Sequence, residues 1–477
     1  MRARLAFALL AFTLLAAAPR AAYAHAHLAR STPAAGARIN IAPHSIRLWF
    51  SEAPELSLTT IVLTDANGKA VPLGSVTGTP DTVVAASAVI QTTLAPGEYT
   101  VKWRTVAADD GHPSSGKFSF TVGNAGGSTT AGSTSSTGFD AAAPAGPENA
   151  SPRVPVPDVE SPAFVAVRWL SFLGIVLLLG VVAFRVLVMP SIGRQAHSAY
   201  ALRDAHDVLS AAMIPRLTNL GIIAGLTTLV AGIGRLLAEQ SVMAASMPMT
   251  LTSILQQTAW GHVWMLQAGL AIVACTGFAL ARARANMGWA IAGVAAAILA
   301  TTPALSGHAA GMPSFRTFAI ATDAVHVMAA GAWLGSLTAM VLVALPVSLR
   351  SETRDVAQGL MADVVNAFSP VALVSASIVV LSGAVSAWLR VGSISALWRS
   401  SYGVVLLVKL AFVGCVLGAG AFNWLRMRSA LGTAATDGGE TSTARLRFQQ
   451  SGTVELMFGV LVIAATAVLV AMPTPVH

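Results

Sequence analysis

Three stretches in the first quarter of the chain alternate apolar and polar residues with a period of two. In His44 to Phe50, Ile46, Leu48 and Phe50 share one face. In Glu98 to Arg104 the same holds for Tyr99, Val101 and Trp103, and in Lys117 to Val122 for Phe118, Phe120 and Val122. Alternation of this kind marks strands buried on one side. Turn signals such as Ala95-Pro96-Gly97 separate the stretches. The pattern predicts a small all-β sandwich or barrel over residues 25–122, and about 100 residues suffice for one such core.

The pattern then changes twice. Residues 123–160 are dominated first by Gly, Ser and Thr (Gly126-Gly127-Ser128-Thr129-Thr130) and then by Pro and Ala. Such a segment buries too little apolar surface to fold and is expected to act as a tether, stiffer toward its Pro-rich end. From 161 to 477 the chain carries apolar runs of about 20 residues, the length that spans a bilayer. Eight are expected, at about 164–188, 211–234, 259–281, 288–305, 318–346, 368–389, 402–424 and 453–472. The expected architecture is multi-domain: an all-β unit followed by an all-α polytopic bundle.

The first residues form a different kind of apolar run. Arg2 and Arg4 precede Leu5 to Ala18, which is short for a span, and Ala22-Tyr23-Ala24 has the A-x-A form of a cleavage site. Residues 1–24 are therefore predicted to be a signal peptide, and its removal makes His25 the first residue.

Composition agrees with a membrane protein. Of 477 residues, 55% are hydrophobic and only 10% charged, where a soluble chain carries about 25% charged residues. The net positive charge is mostly Arg in short loops between apolar runs, which suits membrane orientation better than nucleic-acid binding. With the β unit outside, the inner loops hold Arg194, Arg203, Arg282, Arg284, Arg350, Arg354, Arg426, Arg428, Arg445 and Arg447, against Arg235, Arg316, Arg390 and Arg399 outside. This asymmetry predicts a bacterial inner-membrane protein with its N-terminal unit in the periplasm. The two cysteines, Cys275 and Cys415, lie in separate apolar runs and are read as packing residues.

A histidine at a mature N-terminus has unusual chemistry. Its free amine and ring nitrogen chelate one metal ion, and a further imidazole completes a three-nitrogen plane that suits Cu(II). His112, in Asp109-Asp110-Gly111-His112-Pro113, is the candidate partner. Asp110, two residues earlier, leaves an extended segment on the same face. Its carboxylate is placed either to take an axial position or to orient an imidazole. His27 offers a rival Cu(II) mode through the amine, two amides and a third-position imidazole. That mode leaves the Asp110/His112 motif without a purpose. His44 is read as a surface residue.

Several motifs in this unit resemble the CopC copper-resistance proteins. They are His25-Ala26-His27-Leu28, Ser31-Thr32-Pro33-Ala34, Phe50-Ser51-Glu52, and Asp110-Gly111-His112-Pro113 with Gly116. The resemblance implies a Greek-key β-barrel that binds Cu(II) through His25, His112 and Asp110, with Glu52 at a position near the metal. Some members of that family carry a Met-rich Cu(I) site. Here no methionine lies between Met1 and Met189, so a Cu(II)-only unit is expected, since thioethers are what select Cu(I).

Ionisable residues inside the apolar runs are costly and suggest function. Asp323 and His326 lie three apart in the fifth run, on one helix face. Trp333, seven further on, is expected on that face. Ser306-Gly307-His308 to Gly311-Met312 precedes this run, His262 opens the third, and Met243, Met247 and Met249 lie between the second and third. These groups suit copper better than a hard cation, and Cu(I) is a candidate cargo. Each methionine alone is more simply core packing. His308 and His326 are the candidate copper path.

Gly307-His308 with Gly311, His326 with Trp333 and Gly335, Ser382-Gly383, and Tyr402-Gly403 with Lys409 and Asn423 resemble the CopD copper-resistance membrane family. That resemblance, over about 165–472, implies copper uptake across the inner membrane with the CopC-like unit as donor. The expected partners are copper ions and the lipid bilayer. No Walker A motif is present, so direct ATP drive is not expected. A Cu(II) donor and a Cu(I) path need a reductant, which the sequence does not name. The expectation is a non-enzymatic copper-homeostasis protein. The alternatives are a copper redox enzyme, a haem protein ligated by His262, His308 and His326, and a non-transporting copper buffer or sensor.

Overall fold

The computed structural model describes residues 28–80, 82–108, 113–123, 162–196, 203–246, 250–283, 286–307, 309, 315–348, 354–433, 441–472 and 474–475. The predicted signal peptide and most of the expected tether lie outside them.

The N-terminal unit is a sandwich of two sheets. Its strands are β1 (Leu28–Thr32), β2 (Arg38–Ile39), β3 (Ser45–Phe50), β4 (Thr60–Asp65), β5 (Ala70–Val71), β6 (Thr77–Thr79), β7 (Thr82–Val89), β8 (Gly97–Val106) and β9 (Pro113–Val122). One sheet has the order β1-β3-β7-β6, the other β2-β9-β8-β4-β5. All pairs are antiparallel except β2 with β9.

The alternating positions build the core. Ile46, Leu48 and Phe50 from one sheet meet Tyr99, Val101, Trp103, Phe120 and Val122 from the other. Phe50 meets Trp103 edge-on, with ring centroids 5.2 Å apart, and Tyr99 stacks on Phe120 at 5.7 Å. The Tyr99 hydroxyl donates back to the Ala95 carbonyl at 2.8 Å, so the polar end of a buried ring is satisfied. His44 is exposed just before β3.

Eight helices are long and apolar enough to cross a membrane. In chain order the spans are Pro162–Ile192, Asp207–Ser241, Ala259–Arg282, Asn286–Leu305, Arg316–Ser348, Leu360–Val391, Ser401–Phe422 and Gly452–Val470. Each coincides with an expected apolar run. Rows of large apolar side chains remain exposed on them, including Ile223, Val230 and Leu237 on span two and Leu373, Leu381 and Trp388 on span six. Water contact at such rows is costly, at about 25 cal/mol per Å². A bilayer removes that cost.

Spans one to six share one apolar core that includes Leu178, Phe184, Leu217, Phe278, Leu299, Trp333 and Phe368. Spans one and five cross backbone to backbone. A Cβ placed on Gly180 would lie 2.0 Å from the Gly335 carbonyl carbon, so only glycine fits. Span five widens into π turns at Gly331–Gly335 and Met340–Ala344. The first of these wide turns contains Trp333, seven residues on from His326.

Candidate functional site

Strand register gathers three distant segments at one end of the sandwich. β1 begins at Leu28, which pairs with Phe50, the last residue of β3. The chain before Leu28 therefore enters where Ser51-Glu52 leaves. In the other sheet, Val106 at the end of β8 pairs with Pro113 at the start of β9. Ala107 and Ala108 follow Val106 at that end.

The two sheets are stitched together at this end. The Glu55 N–H donates to the Val106 carbonyl at 2.7 Å and the Ala108 N–H donates to the Ala53 carbonyl at 2.8 Å. Pro54 and Ala107 form a bridge between them. The buried hydroxyls of Thr59 and Thr105 meet at 2.8 Å. Half-buried Glu52 thus sits next to Ala53, whose carbonyl holds Ala108, two residues before Asp110. Gly116 pairs with Trp103 across the ladder, and a Cβ there would lie 2.7 Å from the indole ring. That close approach fixes the indole against β9. His25, His27, Asp110 and His112 themselves lie outside the described residues.

A second polar group lies between spans five and six. The His326 Nδ1 and the Ser382 hydroxyl are 3.0 Å apart. The ring packs on Gly383, where an added Cβ would come within 3.1 Å of its Cε1. One turn outward along span five, Asp323 accepts from the Ser386 hydroxyl at 2.8 Å and is ion-paired with Arg390. The three-residue spacing does put both side chains on one face, and that face meets Ser382, Ser386 and Arg390, which recur every four residues on span six. Buried Tyr402 on span seven hydrogen-bonds with Arg390. Ser382, Gly383 and Tyr402, from separate sequence motifs, therefore converge around the Asp323/His326 pair.

Two arginines differ from expectation. Arg235 and Arg390 were expected in outer loops, but both lie within spans. Arg235 stacks over the Trp260 ring and Arg390 pairs with Asp323. Arg390 sits in the last turn of its helix, whereas the helix that carries Arg235 runs on to Ser246, so hydropathy alone places both boundaries too early. Ser386 carried no signal of its own. The i, i+4, i+8 relation of Ser382, Ser386 and Arg390, all ahead of one acidic helix face, was the readable clue.

His262 is exposed on the first turn of span three, with its ring Nε2 3.0 Å from the Gln256 carbonyl. The short helix Thr302–Leu305, which leads toward His308, packs against the start of span five. His308, Met247, Met249 and Met312 lie outside the described residues, as does the side chain of Met243. Among the described residues, no three His, Cys, Asp or Glu side chains come together as a metal cage.

Comparison with known proteins identifies the fold's two halves. The CopC domain family matches residues 28–123. The copper resistance protein D-like N-terminal domain matches 158–316, and copper resistance protein D matches 362–469. The chain is 32% identical over 100 residues to protein YobA of Escherichia coli (strain K12), covering 21% of this chain and 80% of that one. The chain belongs to the CopC/CopD copper-resistance family. Copper transport protein CutJ of Bacillus subtilis (strain 168) is 25% identical over 470 residues, covering 96% of this chain and 76% of that one. Among solved structures, PcoC, a methionine rich copper resistance protein from Escherichia coli, is 31% identical, covering 21% of this chain and 99% of that one, with a TM-score of 0.19. The CopC part of the present chain has no methionine.

Proposed function

We propose that this protein captures Cu(II) in the periplasm through its CopC domain and imports copper across the inner membrane through its CopD domain. The observation that carries the reading is the convergence at one end of the sandwich. Leu28 at the start of β1, the Ser51–Pro54 strip, Ala108 after β8 and Pro113 at the start of β9 lie at this end. With the leader removed after Ala24, the His25 amine and ring, the His112 imidazole and the Asp110 carboxylate supply the nitrogen and oxygen donors that Cu(II) favours. Glu52 adds a carboxylate at the rim. The lack of methionine in the domain supports Cu(II) as its cargo.

The membrane path runs past His308 and His326. His326 faces span six with its Nδ1 beside the Ser382 hydroxyl, which orients the ring. The Asp323–Arg390 pair supports the same face. A copper ion arriving there as Cu(II) and leaving as Cu(I) needs an external reductant.

Uptake of radioactive copper into cells tests the path. His326→Ala is expected to reduce uptake by about tenfold or more while leaving copper binding by the CopC domain intact, as expected when a residue along the path is lost but the domain is not. Equal uptake by wild type and variant would remove His326 from the path. Copper retention without any uptake by the wild-type protein would favour a buffer or sensor.

A further inference from the structure

The end of the sandwich that carries the candidate copper loop is not free. Glu55 Oε2 accepts the N–H of Ala259, the first residue of span three, at 3.3 Å. The Ser57 hydroxyl lies 3.1 Å from Glu55 Oε1 and 3.5 Å from the Gln257 carbonyl. A carboxylate at the start of a 24-residue helix is favoured by the unpaired N–H groups and by the helix dipole. The Thr258 side chain already caps the Gly261 N–H. Glu55 takes a second N–H of the same first turn, from another domain.

An apolar contact lies beside this cap. Val106, the last residue of β8, forms one buried cluster with Leu236 of span two, Ile254 of the short helix Leu251–Gln257, and Trp260 of span three. Leu58 packs against that cluster. Val106, Ile254 and Trp260 are each no more than 2% exposed, so water is excluded from its centre. The chain leaves the sandwich at Gly123, beside Ile39 and at the opposite end. The described exit toward the tether therefore does not dictate which end faces the bundle.

We infer that the CopC domain docks on the Leu236 end of span two and the start of span three through Glu55, Leu58 and Val106. The same short strip does two jobs. Its Ala53 and Glu55 backbone bonds hold Ala108 and Val106, and its Glu55 and Leu58 side chains make the docking contact. This inference stands on contact geometry and does not depend on the copper reading. A copper-binding failure and a docking failure are separate results.

Cross-linking of the full-length protein in membranes tests it. The background carries Cys275→Ala and Cys415→Ala, and a protease site is placed in residues 124–161. Ser57→Cys with Gln257→Cys is oxidised with diamide, and the chain is then cut. Ile41→Cys with Gln257→Cys is the control, because Ile41 is 82% exposed and precedes β3, at the other end of the sandwich. The two fragments are expected to remain joined about tenfold more often in the first pair than in the control, since a seated contact exceeds what tethering alone provides. Leu58→Asp, or Glu55→Lys at the half-buried cap, is expected to bring the first pair down to the control level. Equal joining in the two pairs, or joining that neither substitution changes, would overturn the inference. Glu55→Lys keeps the test decisive if Leu58→Asp does not fold, because it alters a surface side chain outside the sandwich core.

Discussion

The Asp323–Arg390 pair is the sharpest residue-scale feature of the membrane domain. Both side chains are about one-fifth exposed, at 20% and 18%. Removing one partner leaves the other charge in a low-dielectric setting, which costs more than the pair itself contributes. Arg390→Ala is expected to destabilise the protein by roughly 1–3 kcal/mol, given the residual exposure. Asp323→Asn added to it is expected to recover part of the loss, as a lower and then a higher midpoint in thermal unfolding monitored in detergent. Additive losses would show that the two residues do not act as a pair. Asp323 and His326 were legible in the sequence because ionisable groups stand out in apolar runs. Ser386 and Arg390 were not. A serine is unremarkable in a helix, and an arginine at a helix end looks like a loop charge.

At the scale of elements, two glycines set distances that no alternation pattern specifies. Gly116 allows the Trp103 indole to lie on β9, and Gly335 allows spans one and five to touch. Gly116→Ala puts a methyl group 2.7 Å from the indole. It is expected to cost the β domain about 1–3 kcal/mol by overpacking, read as a lower midpoint in denaturant. It is also expected to disturb the nearby turn and weaken copper binding. Unchanged stability would mean that Trp103 moves aside freely. The strands and spans themselves were legible, because periods of two and long apolar runs follow from burial on one side and from bilayer thickness. The π turn at Gly331–Gly335 was not, since a wide turn leaves no mark on hydropathy.

For the whole molecule, the arrangement puts the end of the sandwich proposed to capture copper against the membrane domain. The CopC and CopD halves were each legible from local motifs. Their contact was not, because Glu55, Leu58 and Val106 are ordinary residues until strand register and span positions bring them to Ala259 and Trp260. Docking through Glu55, Leu58 and Val106 would give an ion captured at that end a short route to the bundle and keep the local concentration of donor high. The route presumes that the converging end of the sandwich is a Cu(II) site. Electron paramagnetic resonance of the purified full-length protein, titrated with Cu(II), tests that most directly. The account predicts one tightly bound Cu(II) per chain in a tetragonal field with nitrogen hyperfine structure. In His112→Ala, that signal is expected to lose a nitrogen and the affinity to fall. Identical spectra and affinities for the two proteins would contradict it.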